Sequence, residues 1–392
     1  MEKKTITSEF VSYGHPDKIA DQIADAILDE YLKLDGNTRA GIEVMVKDNI
    51  VVLGGEISSK ATVNYDTIVR NVFNDIKFPD NHHLNPDNIK IINLIGKQSP
   101  EIHQGVDKSE TIIGAGDQGF MVGYASNETE VLMPLGYYIA KKICQCIANY
   151  KALQLGPDTK SQVIVDYDEH GNAEISSILV STMHQCSIEK VREVVKQIIL
   201  TNQMGLETEL FNKYILEKNI RIDINPCGTW NIGGPVSDCG VTGRKLVVDS
   251  YGGYCNIGGG NISGKDLSKV DKSAAYMARY LAKNVVASGL CNTAKVELSY
   301  MIGIPEPSSI NIEMDKNQEF AEELKRWVKA NIDLTPYGII SRFHGSYPRN
   351  YYLSKNGHYG VNTVGDVTLQ RLYPWEIIDQ ADIIKNYFYK KS

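Results

Sequence analysis

The residue types best suited to chemistry in this chain stand in a glycine-rich loop that ends at Asp271. Four glycines from Gly258 onward are interleaved with Lys265 and Lys269, and an unbroken helical pattern follows. Free backbone N–H groups on such a loop, the positive end of a helix and fixed ammonium groups together bind several phosphate oxygens. The loop therefore predicts a polyphosphate site. If the helix begins early, the two lysines lie four residues apart on one of its faces.

The same loop matches a P-loop in all but one position. Gly259 to Lys265 satisfies G-x-x-x-x-G-K, but Asp266 stands where a P-loop has the Ser or Thr that binds magnesium. The segment 245–251 reads as a strand, yet a second pair of glycines separates it from the helix. Three interpretations stay open here: a P-loop, a structural glycine turn and a phosphate site of another kind.

A second candidate site opens the first helical segment at His15 and Asp17. Pro16 takes the favoured first helical position, so both side chains lie at the helix N-terminus. The helix dipole lowers the pKa of a histidine there and favours a neighbouring anion. His15 could then donate a hydrogen bond to a phosphate or ether oxygen, and Asp17 could bind magnesium. A simple helix cap is the alternative.

Two carboxylates share one face of a predicted hairpin. If Asp48 and Asn49 form a two-residue turn, Glu43 lies opposite Gly54 and on the same face as Glu56. One carboxylate could bind a cation and the other a substrate ammonium. A solvated sheet face is the alternative interpretation.

Further residues have side chains suited to a charged nucleotide. Asp117 stands in a glycine-rich turn, and Asp158 and Lys160 form a charge pair that precedes a predicted strand. Trp230 offers an aromatic plane on which a nucleobase could stack. The stretch after it contributes three charged side chains: Asp238, Arg244 and Lys245.

The elements that must position these residues form one unit repeated three times. Each unit is a long helix followed by two strands, and apolar residues recur on one helix face. The predicted elements are helix 17–34 with strands 41–47 and 50–57, helix 128–150 with strands 161–167 and 173–183, and helix 269–290 with strands 295–304 and 308–314. This repetition predicts an α+β fold of three similar helix-plus-sheet domains. We place the domains at 1–107, 108–228 and 229–392.

Composition limits the function classes. The 392 residues carry a net charge of −7, which argues against a nucleic-acid surface and indicates that basic clusters serve a local anion. No apolar run approaches membrane-spanning length, and the first residues lack the apolar core of a signal peptide. The seven cysteines show no metal-binding spacing. We expect a cytoplasmic protein with neither nucleic-acid nor membrane partners.

In the motifs that hold these residues, the chain closely resembles the S-adenosylmethionine synthetase (methionine adenosyltransferase) family. The resemblance covers nearly the whole chain, and the matching segments run in order: Gly14-His-Pro-Asp-Lys-Ile-Ala-Asp-Gln-Ile-Ala-Asp-Ala26, Gly96-Lys-Gln-Ser-Pro100, Gly114-Ala-Gly-Asp-Gln-Gly119, Gly233-Gly-Pro235, Gly240-Val-Thr-Gly-Arg-Lys245, Tyr251-Gly-Gly253 and Ser263-Gly-Lys-Asp266. The resemblance implies three domains in a pseudo-threefold arrangement.

The resemblance also implies a two-step reaction with L-methionine and ATP as substrates. Methionine sulfur attacks C5′ of ATP and expels the triphosphate, which is then hydrolysed to pyrophosphate and phosphate. A thioether is a neutral nucleophile, so catalysis depends on positioning and on stabilising the negative charge of the leaving chain. Family members place the site between two subunits, which implies a homodimer or a dimer of dimers.

The matching positions receive roles from the resemblance. The catalytic residues would be His15, Lys160, Arg244 and Lys265. The nucleotide and its phosphates would contact Asp158, Lys245 and Lys269, and the nucleobase would lie at Thr229, Trp230, Asn231 and Asn261, positions where this chain departs from the family. Methionine would lie among Glu56, Gln98, Asp117 and Asp238. Mg²⁺ would be bound by Asp17 and Asp271 and K⁺ by Glu43, and the loop 96–105 would be a lid.

The chain departs from the family pattern around the base. Thr229, Trp230 and Asn231 replace the usual Arg-Phe-Val, Asn261 replaces Ala, and Tyr13 replaces Glu. The tryptophan enlarges the stacking plane, and the asparagines add donors and acceptors that could read a base edge. Two alternatives to the ATP reaction stay open: the same reaction with another nucleoside triphosphate such as CTP, and a catalytically weak paralogue that binds nucleotide and regulates a partner.

Overall fold

Each of the three long helices covers one face of a sheet, because its apolar stripe packs against the buried face of a strand pair. The computed structural model describes residues 4–79, 82–97, 113–150 and 155–389. All three predicted helix-plus-hairpin units are present, which confirms the α+β fold of three similar domains. Within the described residues, no helix combines the length and apolar character needed to cross a membrane.

The elements follow the chain in a regular order. The strands are β1 Lys4–Val11, β2 Arg39–Lys47, β3 Ile50–Ser58, β4 Lys90–Asn93, β5 Gly96–Lys97, β6 Gly119–Ser126, β7 Leu155–Tyr167, β8 Ala173–His184, β9 Arg221–Ile224, β10 Gly240–Val241, β11 Thr293–Tyr300 and β12 Ser309–Met314. The helices are α1 Pro16–Leu34, α2 Tyr65–Ile76, α3 Leu135–Ala148, α4 Ile188–Leu200, α5 Thr208–Tyr214, α6 Gly234–Ser237, α7 Leu246–Asp249, α8 Val270–Ala287, α9 Ala321–Asn331, α10 Pro336–Arg342, α11 Asn350–Asn356, α12 Val367–Leu372 and α13 Ala381–Tyr389.

The first sheet has the predicted hairpin register. Strands β2 and β3 are antiparallel, with Glu43 opposite Gly54, and β4 and β5 extend the sheet in parallel with β3. Ile42, Val44 and Val46 are buried with the apolar stripe of α1. Alternation along a strand then places Glu43 on the outward face of this sheet.

Helix α3 is shorter than the predicted segment 128–150. It begins at Leu135, because Pro134 is tolerated before the first turn but not inside a helix. The residues before it form a turn in which Thr129 Oγ1 accepts the Met133 N–H at 3.0 Å. The predicted N-terminal turns of this helix are therefore wrong.

Strand β7 is longer than predicted and changes the setting of two candidate site residues. It pairs with β1, where Val11 lies opposite Lys160, and with β8, where Leu155 lies opposite His184. Asp158 and Lys160 therefore lie inside a strand and not before one, contrary to the prediction. Pairing on both sides supplies the backbone hydrogen bonds that a free loop would lack.

Each sheet also contains a strand from a different part of the chain. The N-terminal β1 lies in the sheet of β7, β8 and β9; β6 lies beside β11; and β10 lies beside β2. The proposed segments 1–107, 108–228 and 229–392 each hold one helix-plus-hairpin unit, while these three strands cross from one segment into the sheet of another. Division of the chain into three continuous segments therefore keeps each helix-plus-hairpin unit whole but removes one strand from each sheet.

The segment 245–251 is not the strand that its apolar run predicted. It forms the short helix α7, in which the Asp249 N–H donates to the Lys245 carbonyl at 2.8 Å. Asp249 is drawn inward by an ion pair with Lys18 of α1 at 2.8 Å. This tertiary contact decides the local structure of a segment too short for propensity to decide it.

Candidate active site

Helix α1 begins with His15 as its N-cap, and the ring Nδ1 accepts the Asp17 N–H at 3.2 Å. The ring is only 2% exposed. Burial, together with the positive charges of Lys245 and Lys160, lowers the pKa of His15 to about 3. The imidazole is therefore neutral at neutral pH, and because Nδ1 accepts a hydrogen bond, the network assigns the proton to Nε2. Nδ1 lies 3.8 Å from the Asp17 carboxylate, but with a neutral ring this contact is not an ion pair. His15 can therefore donate a hydrogen bond through Nε2.

Asp17 anchors two cations beside His15. Its Oδ2 accepts from Lys245 Nζ at 2.6 Å, and its Oδ1 lies 3.6 Å from the Arg244 guanidinium. The Val241 N–H donates to the same Oδ1 at 3.0 Å. Asp17 is 2% exposed whereas Arg244 is 54% exposed, so the guanidinium extends outward from a fixed carboxylate.

Asp158 has one carboxylate oxygen with a protein donor and one without. Oδ2 accepts the Gly234 N–H at 2.7 Å, whereas the buried Oδ1 has no partner among the described residues. Burial raises the pKa of Asp158 to about 7, although the Gly234 N–H and the charge of Lys160 act in the opposite direction. A buried carboxylate oxygen without a protein donor is available to a hydroxyl or amine of a ligand.

These residues form one group of charged side chains around the start of α1. Asp238 belongs with them, since its charge acts on both His15 and Asp158. We call the following residues the histidine cluster: His15, Asp17, Asp158, Lys160, Asp238, Arg244 and Lys245.

The glycine-rich loop holds Lys265 and Asp271 against each other. Lys265 Nζ lies 2.6 Å from Asp271 Oδ2, and the Gly260 N–H donates to Asp271 Oδ1 at 2.9 Å. Gly264 has a left-handed backbone with φ of 75°, and a Cβ there would lie 2.2 Å from the Ile42 carbonyl oxygen. Only glycine fits this approach of the loop to strand β2.

This loop is not a P-loop, and its lysines do not share a helix face as expected. Helix α8 begins at Val270, with Lys269 as its N-cap, so Lys265 lies outside the helix. The segment before the loop is the helix α7 and not a strand. The Lys269 side chain lies instead against Gly116, the neighbour of Asp117.

The two hairpin carboxylates lie beside the same loop. Glu43 Oε2 accepts from Thr242 Oγ1 and lies 3.5 Å from Asn261 Nδ2. Glu56 is opposite Gly41 in the hairpin, and Gly41 also forms a bridge with Lys265. We call the following residues the glycine-loop cluster: Glu43, Glu56, Asn261, Lys265, Lys269 and Asp271.

The segment 240–245 contacts both clusters, and its last two residues, Arg244 and Lys245, belong to the histidine cluster. Its Val241 N–H donates to Asp17 in the histidine cluster, while its Thr242 hydroxyl donates to Glu43 in the glycine-loop cluster. The structure thus brings most of the predicted site residues together as two groups that contact one segment, while Asp117, Thr229, Trp230 and Asn231 belong to neither group.

The predicted base-recognition residues do not form one surface. The Trp230 carbonyl accepts the His184 N–H at 2.9 Å, and the Trp230 N–H donates to the His184 ring Nε2 at 3.2 Å. The Trp230 Nε1–H donates to the Ile232 carbonyl at 2.8 Å. Asn231 Nδ2 donates to the His184 carbonyl at 2.8 Å. Asn261 lies in the other cluster, and Thr229 is exposed.

Tyr13 has a structural explanation that the sequence did not supply. Its hydroxyl donates to the Ala148 carbonyl at the end of α3 at 3.1 Å, and the Lys355 ammonium lies 5.2 Å from its ring centroid. A long aromatic side chain reaches this position, and a cation over its ring face is favourable. The tyrosine therefore joins α1 to two other elements.

Sequence reasoning missed a row of buried acids on α1. Asp21, Asp25 and Asp29 continue from Asp17 at a spacing of four residues, and all are buried. Like charges four apart destabilise an isolated helix. That spacing, opposite an apolar stripe, was the signal that each carboxylate has a partner elsewhere in the fold.

Two predictions fall outside the described residues. Gln98 and most of the proposed lid at 96–105 lie in the range 98–112, for which no structure is described.

Comparisons with known proteins identify the family. Models of the N-terminal, central and C-terminal domains of S-adenosylmethionine synthetase match residues 3–100, 112–230 and 232–376. The S-adenosylmethionine synthases of Mycoplasma mycoides subsp. mycoides and Mycoplasma capricolum subsp. capricolum are each 41% identical to this chain over 393 residues, covering 99% of this chain and 98% of the relative. The solved structure of an unusual S-adenosylmethionine synthetase from Campylobacter jejuni is 36% identical, with a TM-score of 0.87 over 98% of this chain and 99% of that chain.

The chain belongs to the S-adenosylmethionine synthetase family. The resemblance inferred from the motifs is thereby confirmed, as is the three-domain fold that it implied. Members of this family use metal ions.

Proposed function

We propose that the chain transfers the adenosyl group of ATP to the sulfur of L-methionine and then hydrolyses the released tripolyphosphate. The observation that carries this proposal is the neutral, buried His15 at the positive end of α1, flanked by the charges of Lys160 and Lys245. A neutral donor and fixed cations suit a reaction in which negative charge develops on a leaving oxygen and no proton has to leave the nucleophile.

His15 would stabilise the leaving oxygen by a hydrogen bond from Nε2. Its Nδ1 is held by the Asp17 N–H, which fixes the ring orientation and leaves Nε2 as the donor. A charged imidazolium would also attract phosphate in the ground state, whereas a neutral donor gains most where charge accumulates in the transition state.

The cations of both clusters would bind the triphosphate chain. Asp17 and Asp271 hold the ammonium groups of Lys245 and Lys265 in place before any phosphate arrives. Such preorganised charges require little rearrangement during the reaction. The remaining phosphate contacts would come from Lys160, Arg244 and Lys269.

The carboxylates fit a magnesium ion that shares its ligands with phosphate. Among the described residues, no group of three or more His, Cys, Asp or Glu could hold a metal alone. Mg²⁺ commonly takes one or two carboxylates and completes its shell with substrate phosphates and water. Asp17 and Asp271 would take that role once Lys245 and Lys265 turn from them to the phosphates, and the bound ion would neutralise triphosphate charge. Glu43, with the Thr242 hydroxyl beside it, is our candidate for K⁺.

The proposal that the site reads the base of CTP is weakened, because the two asparagine side chains on which it depends form hydrogen bonds within the protein. Asn261 uses both ends of its amide on Ser263, whose carbonyl accepts at 2.9 Å and whose N–H donates at 3.0 Å. Asn231 gives one amide hydrogen of its Nδ2 to the His184 carbonyl. These contacts stabilise the loops themselves, so we propose ATP as the nucleotide and the Trp230 region as the place of its base.

Methionine would bind among the remaining candidate residues. Glu56 lies on the outward face of the first sheet beside the glycine loop, and Asp117 adjoins the Lys269 side chain. Asp238 belongs to the histidine cluster, and Gln98 is proposed from the resemblance alone. Carboxylates are the natural partners of the substrate ammonium.

Two separate clusters that contact one segment support a site shared between subunits. We propose a homodimer or a dimer of dimers in which the histidine cluster of one subunit faces the glycine-loop cluster of its partner. Mixing His15→Ala with Lys265→Ala tests this. A mixed dimer of those variants has one intact site, so a random 1:1 mixture should recover about a quarter of wild-type activity. No recovery would place the whole site in one chain.

Steady-state turnover with methionine and each of ATP, CTP, GTP and UTP tests the reaction itself. We expect a clear preference for ATP, with phosphate and pyrophosphate as co-products. A preference for CTP would establish the altered-base alternative. Tight nucleotide binding without either co-product would favour the regulatory paralogue.

A further inference from the structure

Two buried charged residues outside both clusters hold the backbone on either side of Lys265. Asp25 Oδ1 accepts the Gly264 N–H at 2.7 Å, and Lys272 Nζ donates to the Lys265 carbonyl at 2.9 Å. Lys272 Nζ lies 3.8 Å from Asp25 Oδ1, and both side chains are at most 1% exposed. A carboxylate and an ammonium thus face each other across the backbone segment that carries Lys265.

We propose that Asp25 and Lys272 are positioning residues that fix the direction of the Lys265 ammonium toward the phosphate chain. This rests on the proposed function, in which Lys265 binds phosphate. The Lys265 side chain is flexible, so its reach depends on where the backbone at its root is held. Neither Asp25 nor Lys272 needs to touch a substrate to have this effect.

The location of this pair argues against a role in stability alone. Removing two charges from water is expensive, and buried ion pairs are often no more stabilising than apolar residues of the same volume. Here the pair satisfies a backbone N–H and a backbone carbonyl that would otherwise be buried without partners. These two backbone groups belong to the proposed phosphate-binding loop, so the main effect of the ion pair is to fix that loop in place.

The first sheet holds the other side of the same loop. The Ile42 N–H donates to the Gly264 carbonyl at 3.0 Å, and the Ala40 N–H donates to Asp266 Oδ2 at 2.8 Å. Loss of Asp25 would leave these contacts in place. The expected result is a displaced loop on an intact fold.

The same helix supplies a matched control, one turn further along. Asp29 is also buried, and it accepts the Asn350 and Tyr351 N–H groups at 3.0 and 2.9 Å. It therefore anchors helix α11, which carries none of the candidate site residues. Asp25 and Asp29 are the same kind of group on the same helix face, but Asp25 holds Gly264 directly, whereas Asp29 reaches the glycine loop only through Asn350, whose Oδ1 accepts from Lys272 Nζ at 2.7 Å.

Hydrolysis of added inorganic tripolyphosphate by the full-length protein tests the proposal. We would compare Asp25→Ala and Lys272→Met with Asp29→Ala and use Lys265→Ala as the reference. Each variant is assayed at a temperature at which its thermal unfolding curve shows that it is folded. Asp25→Ala and Lys272→Met should lower kcat about tenfold or more, because small displacements of catalytic groups have large effects. Asp29→Ala should stay within about threefold of wild type, because its link to the loop through Asn350 and Lys272 is indirect.

The outcomes separate this proposal from the function on which it rests. Wild-type hydrolysis by Lys265→Ala would refute the phosphate-binding role of Lys265. Impaired hydrolysis by Lys265→Ala, with Asp25→Ala and Lys272→Met no worse than Asp29→Ala, would refute the positioning role alone.

A measurement on the wild-type protein covers variants that fail to fold. Amide hydrogen exchange should be slow at Gly264, because its N–H donates a buried hydrogen bond to the Asp25 carboxylate. Exchange there as fast as in an unprotected loop would overturn the proposal.

Discussion

The histidine cluster and the glycine-loop cluster reach their geometry by different routes. His15 and Asp17 are two residues apart on the first turn of one helix, and the ring caps its own helix end. Lys265 and Glu43, in contrast, come from a loop and a distant strand that meet only through tertiary contacts. One cluster is built on a local pair that Arg244 and Lys245 join through tertiary contacts, whereas the other depends on a loop docked against a distant strand, so substitutions should affect them in different ways.

The largest expected effect is in the glycine-loop cluster. Lys265→Ala should lower turnover by about 10³-fold, or about 4 kcal/mol, because it removes a preorganised cation from the leaving chain. Asp271→Ala should have a similar effect, since Asp271 holds that ammonium at 2.6 Å. Steady-state kinetics measure both, with Lys33→Ala as control because Lys33 is exposed and paired only with Glu30 among the described residues. A change under about threefold in the site variants would contradict the assignment.

A smaller and selective effect is expected in the histidine cluster. His15→Ala should slow sulfonium formation by about 100-fold, because a hydrogen bond to the leaving oxygen is lost. Cleavage of added tripolyphosphate should be slowed less, since that step has no such oxygen at C5′. Single-turnover measurements of each step make the comparison. Equal losses in both would show that the ring serves only to cap the helix.

A modest effect is expected at the outward face of the first sheet. Glu43→Gln should lower the activation that added K⁺ produces, because a neutral amide is a weaker ligand for a hard cation. The expected loss of activation is about tenfold or less. Activity measured at fixed Mg²⁺ across a K⁺ titration tests this. An unchanged K⁺ dependence would remove Glu43 from the cation site and leave it as a partner of Thr242.

The smallest effect concerns stability, away from both clusters. Burial raises the pKa of Asp29 from 3.8 to about 6. Protonation is therefore favoured by folding, and this contribution is fully present below pH 3.8 and lost as the pH rises through about 6. Asp29→Asn removes this contribution, so the change in Tm from about pH 4 to about pH 6 should be about 2 °C more positive in the variant than in the wild type, with turnover little changed. An identical slope in variant and wild type would contradict the shift.

Local patterns predicted the repeated units and much of the histidine cluster. The apolar stripe of α1, the proline at its first turn and the register that places Glu43 opposite Gly54 all follow from short-range rules. The chemistry at His15 was accessible because a helix end is defined by a few consecutive residues.

Long-range contacts limited the rest of the prediction. The 245–251 segment became a helix through a contact with Lys18, and β7 was extended by pairing with the distant β1. Two residues that hold the glycine loop were not evident from the sequence. Asp25 is far from the loop along the chain, and Lys272 lies in a helix whose pattern was simply amphipathic. No window of neighbouring residues contains both Asp25 and Gly264, and the nearby Lys272 shows no sequence pattern that marks it as a partner of the Lys265 carbonyl.

The exchanged strands affect how the protein is made. As the chain leaves the ribosome, β1 has no strand partner until Lys160–Tyr167 has been synthesised, and β6 has none until Thr293–Tyr300 has been synthesised. Until then each early strand has unpaired backbone groups that can pair with another nascent chain. Translation must therefore pass residue 300 before all three sheets can close, and fragments cut at the family limits would each lack a strand that their sheet requires.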